Sequence, residues 1–412
     1  MRNSRIAIVY DCLFPYTTGG GERLYRSYAE HMHRYGLQVD YLTARQWSDP
    51  ATPSEPEFRI VPISRMLRLY DGTGVRSSTA ALQFSVGLFA ALVRRRRSYH
   101  TVVVSALPVL NVFAARAALV GSGTRVVVDY LEVWGRRQWV DYAGPIIGHT
   151  AWLLQRLAVA VTPLATCHSR LTANQLVREG LRSTALISPG LIDGESVNSF
   201  AAKSTLPPYV LYVGRHIPDK QVEALPAAVA EARRSVPGLR LVVLGEGPSS
   251  SDVDAALASA QASEWAERPG FVSQDRLVEL MRGAAALINP SRREGYGLVV
   301  VEAAAHGTPV VLVGGPGNAA TELVEPGVNG FVAPSASAAD LGDAIVRAIR
   351  GGTELRLSSR SWYESAVTTR TVARTVENLL RVLDLIPRAP AGAAARPDDA
   401  ATRSADTTEG TH

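Results

Sequence analysis

Three stretches of this 412-residue chain combine residue types that do chemistry together. The densest runs from Asn289 to Val311, NPSRREGYGLVVVEAAAHGTPVV. A strand ending at Pro290 leads into the loop Glu294-Gly295-Tyr296-Gly297, and a helix opens near Leu298. Amide N–H groups of Gly297 and Leu298 at that helix N-terminus are ready donors for a phosphate. Glu302 lies eight residues after Glu294, about a turn into the helix, where its carboxylate can accept two ribose hydroxyls; Glu294 can face a sugar. Taken singly, Glu302 reads equally well as a first-turn carboxylate and Glu294 as a solvated loop acid. The GTPVV that follows at a fixed distance favours the binding reading of both.

The second stretch is GRHIPDK, Gly214 to Lys220, at the C-terminal end of a strand, where open α/β sheets bind ligands. Arg215 as a planar fork and Lys220 as a compact point charge suit a diphosphate. Of 43 Lys and Arg residues only Lys203 and Lys220 are lysine. A solvated cation in this chain is almost always arginine, so Lys220 reads as a chosen site residue and Lys203 as an ordinary hinge charge. The third stretch is TTGGGER, with Gly19, Gly20 and Gly21 between a buried strand and a helix. Glycine there lets a phosphate or sugar approach the backbone; a purely structural tight turn is the competing reading. Glu22 complements the helix dipole. The spacing is not G-x-G-x-x-G and no acid ends the next strand, so a dinucleotide site is unsupported.

These stretches need a frame that brings strand ends together. IAIVYD (6–11), VDYLT (39–43), TVVVSA (101–106), RVVVDY (125–130), LATCHS (164–169) and TALISPG (184–190) are buried strands separated by helical patterns. One such helix runs from Glu22 to Tyr35 and ends at Gly36. A second series starts at YVLYVGR (209–215) and continues with LRLVVLGEG (239–247), AALINPS (285–291) and TPVVLVGG (308–315). Continuous apolar strands between helices mean parallel sheets covered on both faces. The expected organisation is a first domain over 1–200, a Pro-containing linker over 201–208 and a second domain over 209–365. A terminal helix over 366–387 crosses back to the first domain, and a tail over 388–412 has too little to bury to fold.

Composition narrows the class. With 46% hydrophobic residues the chain is globular. Cys12 and Cys167 match neither a metal spacing nor a disulfide framework, which fits a reducing compartment. The N-terminus lacks the apolar region of a signal peptide, and no run reaches the roughly 18 apolar residues of a membrane span. A cytoplasmic protein is expected. Arg94 to Arg97 end an apolar helical stretch, either as a solvated helix end or as a contact with an anionic membrane on its inner face. The net charge is +5, yet the basic residues are otherwise scattered without interleaved aromatics, so nucleic acid is not an expected partner.

At TTGGGER, GRHIPDK, LGEGP (244–248), the E-x7-E segment and NAATELVEPGVNGFV (318–332), the sequence resembles the retaining glycosyltransferases of family four, over roughly residues 5–385. The resemblance implies the GT-B fold: two Rossmann-like, doubly wound α/β domains facing across a cleft. It implies hexose transfer from a nucleotide-diphosphate-sugar co-substrate to a saccharide or lipid-linked acceptor, with retention and no obligatory metal or other cofactor. By matched position Arg215 and Lys220 hold the diphosphate, Glu302 the ribose and Glu294 the donor sugar. Gly295, Tyr296, Gly297 and Leu298 form the donor loop, and Gly20 and Gly21 lie over the phosphates. NAATEL matches a donor-site helix.

One departure stands out. Many members carry a histidine on a first-domain loop near the anomeric centre. The matching segment here, VVVDYLEVWGRRQW (126–139), has none; Leu131 takes its place, and His149 and His168 lie too far along. Asp129, Glu132 or a backbone group is left for that role on the acceptor side. Trp134 and Trp139 read either as an acceptor-stacking pair or as buried packing. A sugar-nucleotide epimerase and a non-catalytic nucleotide-sugar-binding subunit remain as alternatives.

Overall fold

The computed structural model describes residues 4–17, 19–49, 51–69, 76–193 and 200–387; the expected tail over 388–412 lies outside the described residues. Seven strands form the first sheet: β1 (Arg5–Val9), β2 (Gln38–Ala44), β3 (Arg59–Ser64), β4 (Thr101–Ser105), β5 (Arg125–Tyr130), β6 (Ala165–Cys167) and β7 (Ala185–Ile187). All pair in parallel, in the order β3-β2-β1-β4-β5-β6-β7. The helices that alternate with them are α1 (Gly20–Arg34), α2 (Ser78–Arg94), α3 (Leu110–Leu119), α4 (Arg136–Ala160) and α5 (Arg170–Arg178).

The second sheet is also parallel, in the order β10-β9-β8-β11-β13-β15. Its strands are β8 (Tyr209–Val213), β9 (Arg240–Leu244), β10 (Ala266–Gly270), β11 (Ala286–Asn289), β13 (Val310–Val313) and β15 (Gly330–Ala333). Between them run α6 (Leu225–Arg233), α7 (Ser250–Ser259), α8 (Gln274–Gly283) and α9 (Leu298–Ala305); α10 (Ala338–Arg350), α11 (Gly352–Thr369) and α12 (Val372–Val382) close the chain. Two-residue strands β12 (Arg293–Glu294) and β14 (Gly317–Asn318) pair with each other outside the main sheets.

Central strands such as β1, β4 and β11 are buried along their whole apolar length, because a parallel sheet is covered on both faces. β3 and β10 escape a reading by apolar runs. Each is an edge strand, and each contains a proline, Pro62 or Pro269, which an edge tolerates because it need not donate to a neighbour. Ser77, Ser169, Ser273, Ser337 and Thr371 cap α2, α5, α8, α10 and α12 by accepting a first-turn N–H. α1 and α9 start instead from Gly19 and Gly297, with no side-chain cap. Gly36 follows α1 at φ +78°, the left-handed position expected of it.

The terminal helix returns to the first domain. Thr375 Oγ1 donates to the carbonyl of Gly190 at 2.6 Å, and Val372 N donates to Ile192 O at 3.0 Å. Val376, Leu379, Leu380 and Leu383 are buried with Leu24, Tyr28 and Met32 of α1 in one apolar cluster. That cluster continues through Leu191, Tyr296, Trp362 and Tyr363, so the two domains share a core. The expected division at 365/366 falls inside α11; the chain turns at Arg370 and Thr371.

Candidate functional site in the interdomain cleft

In each sheet the strand order reverses once, between β1 and β4 and between β8 and β11. Loops leaving such a point splay apart and open a crevice. GRHIPDK leaves β8 and NPSRREG leaves β11, so the two cation- and acid-bearing loops meet there. Asp219 stitches them: it pairs with Arg293 and accepts from Arg292 at 3.0 Å, and its backbone carbonyl accepts from Arg292 N at 2.8 Å. Lys220 Nζ is thereby brought onto Glu294 Oε1 in a direct ion pair. Glu294 Oε1 also accepts from Asn289 Nδ2 at 3.1 Å and Ser291 Oγ at 3.3 Å. Asn318 holds the loop from below, donating to Ser291 O and Val313 O at 3.0 and 2.9 Å. Arg215 is exposed on the rim of the same crevice.

Gly297 sits at φ +95°, where a Cβ is strained and would also strike Ala320, so this helix start requires glycine. Glu302, on α9, faces the first domain: Arg23 Nη1 of α1 is 3.7 Å from its Oε1, with both side chains about half exposed. The glycine-rich start of α1 lies against the donor loop. A Cβ on Gly20 would lie 3.3 Å from Leu298 Cδ1, and one on Gly21 would lie 2.7 Å from Tyr10 Oη and 3.3 Å from Leu131 Cδ1.

The two halves touch at Gly295. A Cβ there would collide with the carbonyl oxygen of Leu131 and lie 2.7 Å from Glu132 Cγ and 3.3 Å from its Oε1. Glu132 therefore faces the donor loop. Its Oε2 accepts from Trp134 Nε1 at 2.7 Å. Burial first, and then the nearby charge of Glu294, push its carboxyl above the ordinary range against the pull of that hydrogen bond, Lys220 and Arg293. Trp134 lies 4.4 Å under the Arg293 guanidinium and packs on Trp139 and Tyr142 at ring distances of 4.9 and 5.1 Å. Arg293 Nη1 also donates to Gln138 O at 3.2 Å.

Two positions read from sequence lie away from the cleft. Asp129 is wholly buried: Tyr25 Oη donates to it at 2.7 Å, Thr166 Oγ1 donates to its other oxygen and His168 Nε2 lies at 3.1 Å. Burial opposes its charge, but His168 and these hydrogen bonds outweigh it and hold the carboxyl below the ordinary range. An acid so enclosed has no face for an acceptor. Tyr296 points into the shared core, where its Oη accepts from Leu191 N at 3.2 Å, so only its backbone lies in the loop. NAATEL forms a short 3-10 helix, Ala319–Leu323, rather than an α-helix. Its Glu322 accepts from the N–H groups of Arg170 and Leu171 at 2.9 and 2.7 Å, capping α5 across the cleft. Asn289, Asp219, Arg293, Asn318 and Glu322 carried no chemistry in the sequence reading. Each lies within or beside a motif quoted above; the pairings of Asp219 with Arg293 and of Glu322 with the start of α5 span 74 and about 150 residues and leave no local pattern, while those of Asn289 and Asn318 span 5 to 27.

Among the described residues no group of three or more His, Cys, Asp or Glu is placed to hold a metal, and no helix is long and apolar enough to cross a membrane. Two parallel α/β domains with their switch points opposed across a cleft define the GT-B architecture. Residues 207–350, which contain all six strands of the second sheet, match the family described as "Glycosyl transferases group 1". The sequence is 36% identical over 178 residues to the D-inositol 3-phosphate glycosyltransferase of Nocardia farcinica, covering 41% of this chain and 36% of that protein. It is 30% identical over 140 residues to the alpha-D-kanosaminyltransferase of Streptomyces kanamyceticus, covering 34% and 36%. The chain thus spans little more than a third of the length of these two relatives. The whole fold is similar to a sucrose-phosphate synthase from Thermosynechococcus elongatus, with TM-score 0.74, 20% identity, and 93% and 99% of the two chains covered. It is also similar to Anabaena HepE in complex with UDP-glucose, with TM-score 0.69, 15% identity, and 93% and 100% covered.

Proposed function

We propose that the chain is a retaining glycosyltransferase of glycan or glycoconjugate biosynthesis. It moves a hexose from a nucleotide-diphosphate sugar to a saccharide or lipid-linked acceptor, without an obligatory metal, on the cytoplasmic side of a membrane. The observation that carries this reading is the Lys220–Glu294 ion pair at the switch point of a group 1 glycosyltransferase domain, with Glu302 eight residues further on. The named activity of the kanosaminyltransferase supports sugar transfer, and the UDP-glucose bound to HepE supports a nucleotide-sugar donor.

The roles follow from charge. Cleaving the bond between the sugar C1 and the diphosphate oxygen leaves negative charge on the diphosphate and positive character on the ring. Lys220, Arg215 and the uncapped N–H groups of α9 stabilise the departing charge as it develops. In this structure Lys220 is paired with Glu294. A diphosphate takes over the lysine, and Glu294 turns to the sugar hydroxyls while Asn289 and Ser291 keep it in place. Glu302 accepts the ribose hydroxyls once Arg23 yields. Glu294 and Glu302 sit on sugar and ribose, so neither serves as the nucleophile of a double displacement. The acceptor attacks from the face the leaving group departs, and the diphosphate takes its proton. Closure of Gly295 onto Leu131 and Glu132 excludes water from this step.

Donor turnover with and without acceptor tests the reading. Free nucleoside diphosphate should accumulate only when acceptor is present; conversion of the donor to an isomer without acceptor points to the epimerase instead. Lys220→Ala and Glu294→Ala should each lower kcat by about a hundred-fold or more. Normal turnover in both variants removes this site from the mechanism.

A further inference from the structure

α2 and α4 leave apolar stripes in solvent. On α2 these are Leu82, Val86, Phe89 and Val93; on α4 and its C-cap they are Ile146, Leu153, Leu157 and Val161, each at least 42% exposed. The spacings are i, i+4, i+7, i+11 on α2 and i, i+7, i+11, i+15 on α4, so each set forms one narrow band on its helix. The opposite faces of both helices enter one core, Phe84, Leu88 and Leu92 from α2 with Ala158 and Val159 from α4. Both bands therefore point outward from the same side of the first sheet. The charge around α2 is one-sided as well. Residues 59–125 contain ten arginines and one acid, Asp71, although the whole chain is only +5. Arg94, Arg96 and Arg97 are exposed at the end of the α2 stripe, and none forms an ion pair among the described residues.

We propose that this face, the α2 and α4 stripes framed by Arg94 to Arg97, docks the chain on an anionic lipid surface. An exposed apolar band beside unpaired arginines fits the boundary between acyl chains and negatively charged headgroups, and neither helix is long and apolar enough to leave it for the bilayer core. α4 joins this face to the cleft. Its first turns carry Gln138, whose carbonyl accepts from Arg293, and Trp139, which packs on Trp134. After the break at Gly144 and Pro145 the same helix carries the stripe. The backbone N–H of Arg76, ahead of α2, donates to Tyr142 on α4 at 3.0 Å, tying the two helices together. If the chain transfers sugar as read above, a lipid-borne acceptor enters the cleft along α4.

Flotation of the full chain with vesicles tests the docking face without donor, acceptor or turnover, so its outcome is independent of the functional reading. The chain should float with phosphatidylcholine containing about one-third phosphatidylglycerol, float poorly with phosphatidylcholine alone, and be partly released by about 0.5 M salt. The double variant Arg94→Glu/Arg97→Glu should lower the partition coefficient at least about ten-fold. Phe89→Ser/Leu157→Ser should lower it on the same vesicles, with an unchanged melting curve because both side chains are already in water. Either variant floating like the parent overturns the proposal. So does a chain that ignores vesicles and forms a dimer that the same substitutions dissociate.

Discussion

Glu132 and Asp129 lie three residues apart at the end of β5 and meet opposite surroundings. Asp129 is enclosed by Tyr25, Thr166 and His168, which favour its charge over the cost of burial; at Glu132, facing Gly295, burial first and then the charge of Glu294 oppose it. A carboxyl held above its ordinary range stays protonated to higher pH and can donate a hydrogen bond towards the donor loop. Its proton is present at low pH and is lost as pH rises through the raised pKa, so activity that uses it falls on that alkaline side. Glu132→Gln fixes the donor in place. The expected profile of kcat/KM against pH for this variant keeps turnover within about three-fold of the parent at low pH and lacks the fall above it. A Gln variant as inactive as Glu132→Ala means that the charge, not the proton, is used. Sequence reading named both acids as stand-ins for the missing histidine. It had no means to separate them, because the difference lies in residues 37 to 163 positions away.

At the scale of elements, the cleft is made by loops whose glycines let two domains touch. Gly295 approaches the carbonyl of Leu131, and neither residue belongs to the other's domain. A methyl group there leaves each sheet intact and holds the domains apart. Gly295→Ala should therefore leave the melting temperature nearly unchanged and a donor-induced thermal shift in place. Its kcat should fall by about a hundred-fold, as expected when reacting groups are displaced by about 1 Å. A normal kcat argues that the domains need not close this far. The motif order and the strand-loop-helix context of this region were legible locally, since an apolar run, a glycine and a second apolar run lie within twenty residues. The edge strands β3 and β10 were not, because proline and polar residues are tolerated where one side of a strand is unpaired.

At the scale of the whole molecule, α12 fastens the second half of the chain to the first. Leu380 is fully buried against that shared core. Leu380→Ala should cost about 2–5 kcal/mol from lost transfer energy and the cavity left behind. Because the cluster spans both domains, calorimetry of this variant should show a single unfolding transition splitting into two. A uniform downward shift of one transition instead means that α12 contributes to one domain only.

The sequence by itself determined what depends on neighbours along the chain. Two series of buried parallel strands, the loops at their ends and the spacing from Glu294 to Glu302 all follow from local periodicity and turn chemistry. Tertiary structure alone decided which charges meet: Lys220 with Glu294, Asp219 with Arg293, Glu132 with the donor loop, Asp129 with His168. Burial and charge partners fix what an ionisable group does, and in this fold those partners come from strands far apart in the chain. The near-absence of lysine marked Lys220 in advance; only the fold supplied the carboxylate that holds it.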